Sequence, residues 1–329
     1  MWIFIIFYNN IFLYCSNSLT KDKNMDSLQI GTSDLKSSRL VHGCMRIVGD
    51  NSDESRRKGK AAVRTAYESG FTHFDHADIY GGGKCEELFA EVLREIPGMR
   101  EKIIITSKCG IIGRGNPVPD YPARYDFSEG YILKSVDGIL KRLNTGYIDI
   151  LLLHRPDFLF RAEEVAGAFE QLKNSGKVRH FGVSNFHPSQ LSLLQSYCPM
   201  PLIINQVEIN IHNINALLDG TLDQCQEQNI SPQAWCPLGG VVYPAWGNIF
   251  SPDDEQRIKA EFDRQAAKFN TENWIVMLAW LLKHPARIFP IVGTTNSSRI
   301  SASLQALEID YRREDWYRLL EARNGQPVP

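Results

Sequence analysis

Three apolar runs in this 329-residue chain each close on an ionisable side chain. His73-Phe74-Asp75 ends on an acid, Ile103 to Lys108 on an amine, and Ile150 to His154 on an imidazole. A phenol, Tyr80, follows Asp75 by five residues. Singly, each has an ordinary role: Asp75 as a helix cap, Lys108 reaching solvent, His154 hydrogen-bonded in a core, Tyr80 packed in a loop. Together they form a pattern that packing does not require, because burying charge is costly without partners. An acid, an amine, an imidazole and a phenol would converge at one mouth. An amine at a strand end is suited to Schiff-base chemistry.

Such convergence needs strands that share one rim. From Ser38 onward, short apolar runs alternate with helical patterns. The expected strands are Leu40–Val41, His73–Asp75, Ile103–Thr106, Ile148–Leu153, His180–Val183, Ile203–Val207, Pro232–Trp235 and Ile288–Val292. Several are near-continuous in Ile, Leu and Val, as parallel strands covered on both faces should be. Residues 128–143 predict a helix with Ser128 as N-cap and Ile132, Val136, Ile139, Leu140 and Leu143 on one face. Residues 162–175 predict another, with Val165, Phe169 and Leu172 inward and Gly176 as its stop. Residues 271–284 predict a third, capped by Thr271, striped by Ile275, Leu278, Ala279 and Leu282, and ended by Pro285. Eight strands separated by helices fit a single-domain α/β fold, the (β/α)8 TIM barrel, whose chemistry sits at the strands' C-terminal ends. A doubly wound open sheet is the alternative. No G-x-G-x-x-G follows the first strand, and Gly81-Gly82-Gly83-Lys84 lacks phosphate-loop spacing and reads as a turn. Leu28 to Leu35, centred on Gly31-Thr32, predicts a small hairpin closing one end of the barrel.

Composition narrows the class. Hydrophobic residues make up 43% and charged residues 22%, so the chain can bury a large core. With 36 Lys+Arg against 38 Asp+Glu, it lacks the basic excess that nucleic acid demands. Cysteine numbers seven, an odd count without C-x-x-C spacing, which predicts scattered thiols in a reducing compartment and neither a disulfide framework nor a metal site. Residues 1–24 include the apolar run MWIFIIFYNNIFLYC, too short to span a bilayer and interrupted by Asn9 and Asn10. They read as an appended segment outside the fold, with residues 25–329 forming the barrel and no membrane association expected. A targeting or anchoring peptide is the competing reading.

The motifs carry a family resemblance. FDHADIYGGGKCEE is similar to the aldo-keto reductase motif F-D-x-A-x-x-Y-G followed by an acidic helix start. ITSKCG and LLLHRPD resemble the Lys and His segments of that family, and GKVRHFGVSNF, INQVEIN and AWCPLGG match three further segments in order. The resemblance runs from about Leu40 to Arg312, and within the family it looks most like the bacterial oxidoreductases of the YdhF type. It implies carbonyl reduction with Asp75, Tyr80, Lys108 and His154 as the catalytic set. Tyr80 would give the proton, although an unperturbed phenol has a pKa of about 10. Lys108 would lower that value and stabilise the phenolate, Asp75 would hold the ammonium, and His154 would orient the carbonyl.

The same resemblance implies NADP as cofactor. Ser184, Asn185 and Gln206 would bind the nicotinamide carboxamide, and Trp235 would stack on the ring. Gly43, Cys44 and Met45 would line the cofactor after the first strand. Cys236, Pro237, Leu238, Gly239 and Gly240 would meet the pyrophosphate. Gly293, Thr294, Thr295 and Arg299 would receive the extra phosphate of NADPH. Some relatives carry Lys where Gly293 stands, which removes one charge. Ala302 and Ser303 replace the acid-amide pair that often contacts adenine, and His76 replaces a more usual Thr or Ser.

The expectation is therefore a cytoplasmic NADP-dependent reductase of small aldehydes or ketones. A cofactor-binding regulatory subunit with slow chemistry is one alternative, and a Schiff-base lyase using Lys108 is another. Met45, Arg46, Tyr121, Tyr125, Phe127, Tyr243 and Trp246 fall in loops on the catalytic side and are expected around the substrate. Neither the carbonyl itself nor the oligomeric state is legible in the sequence.

Overall fold

A computed structural model describes residue 25, residues 27–243 and residues 250–329. The proposed appended segment 1–24 and the expected pocket residue Trp246 lie outside the described residues. The strands are β1 (Ser27–Gln29), β2 (Lys36–Ser38), β3 (Val41–Gly43), β4 (His73–Asp75), β5 (Ile104–Cys109), β6 (Ile111–Ile112) and β7 (Arg124–Tyr125). They continue with β8 (Ile148–Leu153), β9 (Val178–Ser184), β10 (Leu202–Glu208), β11 (Ser231–Trp235) and β12 (Phe289–Val292). The helices are α1 (Asp53–Glu68), α2 (Lys84–Glu95), α3 (Glu129–Leu143), α4 (Ala162–Asn174), α5 (Pro188–Tyr197) and α6 (Asn215–Leu218). After them come α7 (Thr221–Glu227), α8 (Pro252–Phe269), α9 (Asn273–Leu282), α10 (Ser297–Ala302) and α11 (Arg313–Asn324).

Strands β3, β4, β5, β8, β9, β10, β11 and β12 close into a parallel barrel in that order. Their apolar runs are buried on both faces, which is why β5 and β8 carry no exposed residue. The expected bounds of β4 and β8 are met to the residue, and the open-sheet alternative is excluded by closure. The barrel's N-terminal end is plugged by the β1–β2 hairpin, in which Ser27 pairs with Ser38. Ile30 at its tip packs among Ile104, Ile150, Leu152, Ile203 and Ile204. The Gly31 amide donates to Ser231 Oγ at 2.9 Å, joining the tip to the start of β11.

Two caps depart from expectation. Ser128 stands at the N-cap of α3, but its hydroxyl donates to Asp126 Oδ1 at 2.7 Å and caps nothing. Helix α9 starts at Asn273 with Glu272 at its N-cap, while the Thr271 hydroxyl donates to Gln305 at 3.2 Å. Among the described residues, no helix is long and apolar enough to cross a membrane.

Candidate active site

The parallel register brings the ends of β4, β5 and β8 to one rim. Asp75 pairs with Thr106, and Lys108 with Leu152. Lys108 is fully buried, which an ammonium tolerates only with every proton engaged. It donates to Asp75 Oδ2 at 2.7 Å, to the His76 carbonyl at 2.8 Å and to Tyr80 Oη at 3.1 Å. Burial alone would lower its pKa, but the charges and hydrogen bonds of Asp75 and Tyr80 outweigh that and raise it. The other carboxylate oxygen, Asp75 Oδ1, accepts from Gln206 Nε2 at 2.8 Å. The same Gln206 nitrogen donates to Gln233 Oε1 at 2.9 Å.

Tyr80 opens a tight turn in which Gly81 and Gly82 take left-handed angles, with φ of 58° and 65°. Gly83 follows at φ 91°, and a Cβ there would lie 2.5 Å from Arg142 Cδ. That arginine donates from Nε to Glu86 Oε2 at 2.7 Å, and Ser107 Oγ donates to Glu86 Oε1 at 2.7 Å. Glu86 is fully buried, so the turn carrying Tyr80 is fastened to the strand carrying Lys108. The expectation that Lys108 lowers the Tyr80 pKa is met only in part. Burial is the larger effect and raises it, the Asp75 charge adds to that, and the phenol ends above its ordinary value.

The His154 and Tyr80 rings meet edge-on, with centroids 5.9 Å apart. Burial, then Lys108 and Arg155, push the imidazole pKa down to about 2, so the ring is neutral. Its buried Nδ1 has no hydrogen-bond partner.

Beside this set, β9, β10 and β11 bring Ser184, Asn185, Gln206 and Trp235 together. Asn185 is held at φ 61°. Its Nδ2 donates to the His154 carbonyl at 3.1 Å and to Ser184 Oγ at 2.9 Å, while Trp235 Nε1 donates to Asn185 Oδ1 at 2.9 Å. The Ser184 hydroxyl donates to the Gln206 carbonyl at 2.8 Å. A hollow of about 530 Å³ borders Asn185 and Trp235 and includes Arg155 and Glu208.

The remaining expected cofactor residues fall on the neighbouring loops. The Cys44 amide donates to the Asp75 carbonyl at 2.9 Å, Gly43 ends β3, and Met45 is exposed. Cys236 to Gly240, including Pro237 and Leu238, form a turn after β11. There the Gly239 amide donates to the Cys236 carbonyl at 3.1 Å and the Gly240 amide to the Tyr243 carbonyl at 2.8 Å. Those two amides are thus already engaged within the turn. Gly293, Thr294 and Thr295 lead into α10, whose N-cap Asn296 accepts the Arg299 amide at 3.0 Å. The Arg299 side chain is exposed.

Of the expected pocket aromatics, Tyr121 and Tyr125 are exposed and Tyr243 lies under Arg46 at 5.6 Å. Phe127 departs from expectation. It is 1% exposed and packs with Phe160 and Phe186 from the loops after β8 and β9, and its amide donates to Asp157 Oδ2 at 3.1 Å. Sequence reading also misses Glu86, Arg142, Gln233 and the His76 carbonyl, whose roles depend on which elements become neighbours.

The model for the aldo/keto reductase family matches residues 39–324. The chain belongs to the aldo/keto reductase family. It is 41% identical over 312 residues to the uncharacterized oxidoreductase YcsN of Bacillus subtilis, covering 93% of this chain and 100% of that one. It is 41% identical over 293 residues to oxidoreductase YdhF of Escherichia coli, covering 89% and 95%. A thermostable aldo-keto reductase solved with the inhibitor epalrestat superimposes with a TM-score of 0.77 at 26% identity, covering 91% of this chain and 100% of that one. This aldo/keto reductase is therefore a single-domain barrel oxidoreductase, and Asp75, Tyr80, Lys108 and His154 are gathered at the rim where such folds carry their chemistry.

Proposed function

We propose that this protein reduces small aldehydes or ketones to alcohols with NADPH. The observation that carries the reading is the hydrogen bond from Lys108 Nζ to Tyr80 Oη. Because the phenol oxygen accepts there, its own proton is free to point at a substrate oxygen. The raised pKa keeps that proton on Tyr80 at neutral pH, so the side chain is charged with its acid before reaction. The phenolate left behind is met by an ammonium 3.1 Å away, already fixed by Asp75, so no reorganisation is needed at that moment.

His154, neutral and edge-on to Tyr80, supplies the second donor to the carbonyl oxygen and sets its direction. We assign its proton to Nε2, because the buried Nδ1 has no acceptor and an orphaned buried donor is the costlier state.

The cofactor, when bound, supplies the hydride. The residues present fit it. Ser184, Asn185 and Gln206 offer hydroxyl and amide groups of the kind a carboxamide needs, and they adjoin the flat indole of Trp235. Arg299 and the hydroxyls of Thr294 and Thr295 suit a phosphate. The Schiff-base alternative is disfavoured by the same geometry: all three Lys108 protons are engaged and its pKa is raised, so the amine lacks the free lone pair a nucleophile requires.

A panel of aldehydes and ketones, assayed with NADPH and NADH by loss of reduced-cofactor absorbance, tests the reading. Turnover of at least one carbonyl, faster with NADPH, is expected. Absence of cofactor oxidation across the whole panel would sink it.

A further inference from the structure

Arg155 follows His154 directly, and its guanidinium carbon lies 5.2 Å from the centre of the Trp235 ring. This is a cation–π arrangement, attractive because the ring face is electron-rich. Arg155, Asn185 and Trp235 border one hollow. Glu208, the register partner of Trp235, and Asp219 border it too and bring negative charge, held by hydrogen bonds from Asn210 and Asn213 to Glu208 and from the Thr221 amide to Asp219. Among the described residues, the cation lying over Trp235 is Arg155.

The oxidised and reduced forms of a nicotinamide dinucleotide carry the same phosphates and ribose groups. They differ at the ring, which is a cation when oxidised and neutral when reduced. Whatever the phosphate-binding residues contribute therefore cancels when the two forms are compared. What remains is the ring charge against its immediate surroundings, to which Arg155 contributes a positive charge over the Trp235 face.

We propose that Arg155 biases the cofactor site toward the reduced ring, by holding a guanidinium where an oxidised ring would bring a second positive charge; this rests on the reading of Asn185 and Trp235 as the nicotinamide site. A neutral ring can enter beside the guanidinium without Coulombic cost. An oxidised ring meets repulsion from that guanidinium, and so binds more weakly and leaves faster than it would without Arg155. The bias favours reduction of the carbonyl and release of the spent cofactor. A lysine at this position would keep the charge, and a glutamine would keep much of the size while removing it.

Calorimetric titration of NADPH and NADP+ into the full chain and its Arg155→Gln and Arg155→Lys variants tests this without any turnover. The dissociation-constant ratio, NADP+ over NADPH, is expected to fall roughly three- to tenfold in Arg155→Gln, mainly through tighter NADP+, as for one screened like-charge contact. Arg155→Lys should keep most of the wild-type ratio. An unchanged ratio in Arg155→Gln overturns the proposal, as does an equal shift of both forms, which would mean that Arg155 only competes for the ring face. Failure of the wild-type chain to bind either form would instead remove the nicotinamide site itself, and this inference with it. Loss of the ratio in Arg155→Lys would show that shape, not charge, is responsible, and would also overturn it.

Discussion

Lys108 Nζ lies 3.1 Å from Tyr80 Oη and donates to it, while the same ammonium is held by Asp75 at 2.7 Å. The phenol is thus an acceptor toward the protein and a donor toward the mouth. Tyr80→Phe keeps the ring contact with His154 and removes the acid, together with one of the three acceptors of Lys108. Its turnover is expected to fall by about two to four powers of ten, with cofactor affinity retained. Single-turnover rates and cofactor titrations on the folded variant check this; near-wild-type reduction would remove Tyr80 from the chemistry. Because its pKa is raised, the proton persists to higher pH, and reduction should show no loss through Tyr80 ionisation below about pH 10.

A different outcome distinguishes the role of the amine. Lys108 is predicted to act through its charge and to form no bond to substrate. Borohydride treatment with an aldehyde substrate present should leave Lys108 unmodified by mass spectrometry. A stable substrate adduct on Lys108 would restore the lyase reading.

The rim was legible because an ionisable side chain interrupts an apolar run at or within one residue of a strand end, as at Asp75, Lys108 and His154. The barrel was legible because runs such as Ile148–Leu153 are too short for helices and too uniformly apolar for one-sided strands. The Glu86 fastening was not. It joins α2, β5 and α3, and read in sequence Arg142 is simply a basic residue in the last turn of an amphipathic helix. Thr271 failed as a cap because α9 begins at Asn273, which puts Glu272 at the N-cap, and the Thr271 hydroxyl donates to Gln305 instead. Phe127 carried the correct signal, a loop aromatic on the catalytic side, and the wrong conclusion, because loop folding and not position decided its burial. Interactions between elements are set by packing, and one chain's periodicity does not record them.

Acid stability follows from three buried histidines beneath the rim. His42 is pushed down to about 4, and His73 and His76 each to about 3, by burial above all. A depressed histidine pKa means that the fold holds the neutral ring while the unfolded chain takes up a proton near pH 6.5. The stabilisation is complete above that value. It is lost as pH falls from 6.5 toward 3–4, at up to about 1.4 kcal/mol per pH unit for each ring. Urea midpoints should therefore drop between pH 7.5 and pH 5. His76→Phe, against the Phe89 ring 4.5 Å away, should make that drop shallower. Equal drops in both proteins would mean that His76 does not drive the acid sensitivity.

Cofactor choice is the last prediction. Arg299 stands exposed in α10, after Thr294 and Thr295, where a guanidinium can make charge-assisted hydrogen bonds to a 2′-phosphate. Such a bond contributes about 1.5–3 kcal/mol, or roughly one to two powers of ten in affinity. Arg299→Ala should weaken NADPH by about that factor and leave NADH nearly unchanged, since NADH lacks the contacted group. The wild-type preference should sit at the lower end, because Gly293 adds no charge. A Cβ at Gly293 meets nothing within 4 Å, so Gly293→Lys can be introduced without displacing a neighbour. It should strengthen NADPH several-fold over NADH, in the direction opposite to Arg299→Ala. Titrating both cofactors into the three proteins decides the matter. Equal losses for NADPH and NADH in Arg299→Ala would mean that Arg299 supports the loop and does not read the phosphate.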